Sequence, residues 1–82
     1  MEYHEVFNIV RDIMRNVFDE TDLEINDNTA ARNINNWDSL NHVILISEVE
    51  KEFGIHFDLN DMLEIRTAGD ICQAALRLIR EK

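Results

Sequence analysis

Few residues of this 82-residue chain could do chemistry: Ser39, the Asp38 before it, three histidines (His4, His42, His56) and one cysteine, Cys72. A serine becomes a nucleophile only when an oriented base lies within hydrogen-bonding reach. Ser39 lacks the Gly-x-Ser-x-Gly turn that exposes a hydrolase serine. His42 follows three residues later on a predicted helix and points toward its core side, while His4 and His56 read as surface residues. No metal-ligand spacing joins the histidines to Cys72, which reads as a small apolar residue of the last helix. The Asp- and Asn-rich stretch from Asp19 to Asn28 lacks the central glycine and the twelfth-position glutamate of a calcium loop. Ser39 is then either an ordinary helix-capping residue or a point of attachment. It sits in the first turn of a helix, at the positive end of the helix dipole, a place that favours a phosphate ester.

The elements that position Ser39 are helical. Two glycines and no proline occur in the chain, and no strand pattern, repeat or low-complexity stretch is present. Tyr3, Val6, Phe7, Val10, Ile13, Met14 and Val17 recur three and four apart, which predicts an amphipathic helix from Tyr3 to Phe18. A long polar connection, 19–36, follows, with Leu23, Ile25 and Ile34 expected to pin it over the core. Asp38 is a good N-cap for a second helix, and Gly54 is a good residue to end it. Wound at 100° per residue, that helix puts Leu45, Ile46, Val49 and Phe53 on one face, with Val43 at its edge. Leu40 and Ile44 fall opposite, beside Ser47 and Lys51, as an expected partner-binding patch. A short helix over 60–65 comes next. Thr67 and Asp70 are spaced as a capping box for a last helix running to about Arg80 and burying Ile71, Ala74, Ala75, Leu78 and Ile79. Arg77, Arg80 and Lys82 lie where its dipole favours cations.

The result is an all-α fold: a small four-helix bundle of three longer helices and one short one, with a long loop between the first two. Residues 1–82 are read as one domain. Seventeen acidic residues against eight basic ones give a formal charge of −9. That balance disfavours nucleic acid and anionic membranes, and it favours a basic protein partner. A helix-turn-helix reading fails because the candidate recognition helix carries Glu48, Glu50 and Glu52. A lone cysteine forms no internal disulfide, no signal peptide is visible, and no apolar run approaches a membrane span. A cytoplasmic protein is expected, without membrane insertion.

Asp38-Ser39-Leu40-Asn41-His42-Val43 resembles the Asp-Ser-Leu signature of acyl carrier proteins. Glu48-Val49-Glu50-Lys51-Glu52-Phe53-Gly54-Ile55 matches the acidic end of that family's second helix, and Thr67-Ala68-Gly69-Asp70-Ile71 its threonine-led turn. The resemblance keeps the family's spacing over essentially the whole chain. It implies a carrier that is not an enzyme. A phosphopantetheinyl transferase would move a 4'-phosphopantetheine arm from coenzyme A to Ser39, with Asp38 beside it able to help hold Mg²⁺ during the transfer. The arm's thiol would carry acyl groups as thioesters to synthases, reductases and transferases. The resemblance makes Leu40, Ile44, Ser47, Glu48, Glu50 and Lys51 the docking positions. It puts an acyl shelter among Leu45, Ile46, Phe53, Met62, Ile65 and Ala68. No resident metal is implied, and a monomer is expected.

Three departures bear on the pathway. Asn41 stands where fatty-acid carriers usually have aspartate, Ile44 where they have glutamate, and Lys51 interrupts the acidic run. Trp37 before Asp38 looks like carriers of dedicated polyketide, peptide, lipid or surface-glycan pathways. A specialised carrier is therefore preferred over a housekeeping fatty-acid carrier. An unmodified helical adaptor, binding through Leu40 and Ile44, stays open on composition.

Overall fold

The computed structural model describes residues 1–82 as four α-helices: α1 (Tyr3–Val17), α2 (Ser39–Phe53), α3 (Leu59–Glu64) and α4 (Ala68–Arg80). Helix α1 packs on both α2 and α4, and α2 packs on α4, so these three enclose the core. Each contributes one stripe. Val6, Val10 and Met14 come from α1, with Phe18 at its end. Leu45, Ile46, Val49 and Phe53 come from α2, and Ile71, Cys72 and Ala75 from α4. Helices this short are marginal alone, and burial of these stripes is what holds them in place.

The helix boundaries follow local chemistry. The Asp38 carboxylate accepts the Asn41 N–H at 2.8 Å and starts α2. Gly54 ends it in the left-handed region at φ 63°, a conformation glycine adopts without strain. Asp58 caps α3, one residue earlier than the sequence places that helix. Thr67 and Asp70 form the expected reciprocal box: the Thr67 hydroxyl accepts the Asp70 N–H at 3.1 Å, and the Asp70 carboxylate accepts the Thr67 N–H at 3.1 Å.

Between α1 and α2 the chain is better anchored than its polarity implies. Arg15 donates to the Leu23 carbonyl at 2.9 Å, and the Tyr3 hydroxyl donates to Asp27 at 2.7 Å. A 3-10 turn spans Ala31–Asn33, and Ala30 bridges Thr67. Most telling, the loop carbonyls of Thr29 and Asp27 accept the N–H groups of Ala68 and Gly69 at 2.8 and 2.9 Å. Ile34 is buried, while Leu23 and Ile25 pack half-buried against the core.

The structure corrects one placement made from the helical wheel and one made from the resemblance, and it adds a partner to a third residue. Val43 is 61% exposed and does not share the core face. Glu50 turns toward the following loop, where its carboxylate accepts the Phe57 N–H at 2.8 Å and lies 3.2 Å from His56. Arg77 answers more than its own helix dipole: it forms an ion pair with Asp61 and so ties α3 to α4. That pairing raises the Arg77 pKa.

Gly69 lies where the loop meets α4. A Cβ there would sit 2.7 Å from the Asp27 carbonyl oxygen and 3.1 Å from the Asp27 Cβ. Helix propensity alone predicts that Gly69→Ala gains about 1 kcal/mol. The steric contact reverses the sign. We expect a loss of about 1–3 kcal/mol, read as a lower urea midpoint, and a raised midpoint would show that the loop yields.

Candidate functional site

Ser39 is the first residue of α2 and is exposed. Asp38 takes the Asn41 N–H with its side chain and the His42 N–H with its carbonyl, the latter at 2.8 Å. The N–H groups of Ser39 and Leu40 have no acceptor in the protein. The start of α4 differs: all four of its first N–H groups are bonded. The head of α2 therefore presents a hydroxyl, two unpaired donors and a positive dipole end to solvent, which together suit an anionic ester.

A groove of about 610 Å³ opens beside Ser39, lined by Ala31, Trp37, Asp38, Ser39, His42, Val43, Ile65 and Arg66. Trp37 is the fixed wall of this groove. Its ring lies 5.6 Å from that of Phe18, and its indole Nε1–H donates to His42 Nδ1 at 2.9 Å. The two side chains are also stacked, with ring centroids 6.1 Å apart. Asn36 completes the seat: its side chain donates to the Phe18 carbonyl, and its own carbonyl accepts from Asn41, each at 2.8 Å.

On the outer face of α2, Leu40 is 71% exposed and Ile44 is 41% exposed. Ser47, Glu48 and Lys51 are exposed beside them, and Lys51 lies 3.8 Å from Glu48. Val43, missed as a surface residue, extends this apolar patch toward Ser39. Its spacing of four from Ser39 was the available signal, since residues four apart share a helix face. Glu50, grouped with the docking positions by resemblance, faces the α2–α3 loop instead. Leu45, Ile46, Phe53, Ile65 and Ala68 are buried members of the packed core, and Met62 is half-buried against it. Arg66 was not foreseen as a groove residue, and nothing local in the sequence marks it as one.

Comparison with known proteins settles the family. Residues 8–75 match the family described as "Phosphopantetheine attachment site". The chain is a member of the acyl carrier protein family. It is 31% identical over 70 residues to an acyl carrier protein of Lactobacillus acidophilus, a match covering 85% of this chain and 88% of that one. Its fold superposes with a TM-score of 0.87 on the solution structure of a holo acyl carrier protein from Geobacter metallireducens. That pair is 28% identical, and the match covers 93% of this chain and 87% of the other. The protein is a carrier with a covalently attached phosphopantetheine, not an enzyme, and its family works with a phosphopantetheinyl transferase and pathway enzymes. The free donors at the head of α2 and the open groove fit such an arm. No helix is long and apolar enough to cross a membrane.

Burial, with the Asp27 carboxylate nearby, pushes the Cys72 thiol up to about 12. Burial and the bond to Asp27 likewise raise the Tyr3 phenol. His42 moves the other way, because partial burial disfavours its charged form. Its folded pKa thus lies below the ordinary 6.5, and the unfolded chain binds the proton more readily. The stability this gives is complete above the unfolded value and is lost as pH falls from there through the folded value. Protonation at Nδ1 also removes the acceptor of the Trp37 bond. Trp37 is the only tryptophan, so its emission reports the event. We expect an emission change with a midpoint below 6.5 that is absent in His42→Gln. A midpoint at or above that value, or an unchanged curve in the variant, refutes the coupling.

Proposed function

We propose that Ser39 is the residue that carries the arm. The observation behind this reading is the head of α2, where an exposed hydroxyl stands beside two N–H groups without protein acceptors. The Ser39 hydroxyl oxygen bonds to the phosphorus that bears the pantetheine arm in coenzyme A and gives up its proton, the pyrophosphate P–O bond breaks, and adenosine 3',5'-bisphosphate leaves. The Ser39 and Leu40 N–H groups face the negative charge left there. Asp38 holds the helix start rigid and offers a hard carboxylate oxygen for the Mg²⁺ used in the transfer. Once in place, the arm supplies a thiol that holds acyl groups as thioesters.

Intact mass tests this directly. Incubation with coenzyme A, Mg²⁺ and a broad-specificity transferase is expected to add one phosphopantetheine, and Ser39→Ala is expected to stay unmodified. A wild-type chain that gains no mass refutes the assignment.

The docking surface is the outer face of α2, centred on Leu40, Val43 and Ile44 with Ser47, Glu48 and Lys51 around them. Three exposed aliphatics among few carboxylates favour partners that bind through apolar contact as much as through charge. For this reason we propose a carrier of a specialised pathway, working as a cytoplasmic monomer, over a housekeeping fatty-acid carrier. Its expected enzymes are those that load, extend and transfer its acyl group. Ile44→Glu is expected to weaken binding to those enzymes by about tenfold or more, equivalent to about 1.4 kcal/mol, with an unchanged far-UV CD spectrum. Lost helicity would identify Ile44 as a core residue instead.

A further inference from the structure

The groove beside Ser39 and the hydrophobic core share a wall. Trp37 and Ile65 line the groove and belong to the core at the same time. Trp37 is held on two sides, by the Phe18 ring and by its bond to His42. Behind the wall, Leu45 and Ala68 are wholly buried, and Ile46, Phe53 and Phe57 nearly so. Close-packed interiors resist insertion, since a hydrocarbon chain threaded there must displace side chains already in contact.

The solvent side of the groove is different in kind. Its lining is half polar, from Asp38, Ser39, His42 and Arg66, and half apolar, from Ala31, Trp37, Val43 and Ile65. The guanidinium groups of Arg32, Arg66 and Arg80 have no salt bridge and no hydrogen bond within the protein, and of these three Arg66 is the one that lines the groove. In a chain of net charge −9, a free cation beside the attachment serine locally reverses the field.

We propose that the cargo rides in this surface groove rather than inside the helices, and that it is a short, hydrophilic acyl group whose polar end faces Arg66 and His42. The inference rests on the assignment of the arm to Ser39. The apolar lining takes the apolar parts of the arm and the polar lining takes the polar ones. Arg66 is a positioning residue that supplies the cation for an anionic or hydrogen-bonding terminus.

The test loads the carrier with three arms, from succinyl-, butyryl- and dodecanoyl-coenzyme A, and compares each product with the holo form. Amide chemical shifts and the melting temperature are read. The dodecanoyl form is expected to leave the Leu45, Ile46 and Ala68 amides unmoved and to raise Tm by less than about 4 °C, the low end of the shift that 1 kcal/mol causes in a domain of this size. The succinyl form is expected to move the Trp37 indole and Arg66 amide resonances more than the butyryl form does, and Arg66→Ala to abolish the difference. Shifts at Leu45, Ile46 or Ala68, or a larger rise in Tm, overturn the surface-groove placement. Equal effects of succinyl and butyryl, or a difference that survives Arg66→Ala, overturn the polar-cargo assignment. No mass gain with any donor overturns the Ser39 reading and this inference with it, so the mass spectrum separates the two failures.

Discussion

The course of the long loop, and with it the approach to α2, leans on two backbone hydrogen bonds between the loop and α4. The Ala68 and Gly69 N–H groups at the start of α4 donate to the carbonyls of Thr29 and Asp27. A helix start leaves orphan donors that need partners when they are buried. Here the loop is that partner. It gains a fixed path across the end of the bundle, and α4 gains a complete N-terminus. Only a residue without a side chain lets the two backbones come so close, which is the role of Gly69.

That constraint reaches the working end of the carrier through a short chain of contacts. With 27–30 fixed, the 3-10 turn and Ile34 set the approach to α2. Asn36 and Trp37 then lock against Phe18, the last core residue after α1. Asp38 closes the first turn and leaves the Ser39 and Leu40 N–H groups free. The two helix starts are opposites. One has every donor bonded, and the other keeps two open beside Ser39, the residue proposed to carry the arm.

The helices were legible in the sequence because their signals are local. Periodic apolar residues, Asp38, Gly54 and the Thr67–Asp70 pair each act within a few positions, and the boundaries of α1, α2 and α4 fall within about one residue of those read from them. The place of Ser39 at the head of α2 was legible for the same reason. The joins between elements were not. The Thr29–Ala68 and Asp27–Gly69 bonds connect main chains, which carry no sequence label. The Asp61–Arg77 pair links residues whose types are common on any surface. Glu50 is a further case: the structure puts its carboxylate under the Phe57 N–H, away from the outer face to which the family pattern assigned it.

The burial of Cys72 has a consequence for reactivity. Its thiol is enclosed between α1 and the core and holds its proton far above neutral pH. Thiolate is the nucleophilic form, so this sulfur neither alkylates, acylates nor exchanges at a useful rate. The polypeptide therefore contributes no competing thiol to the modified protein. Any electrophile that reacts at neutral pH, whether an activated acyl donor or a maleimide label, meets one reactive sulfur, that of the arm. The carrier's chemical selectivity is thus built by hiding a side chain, without any residue that recognises the donor.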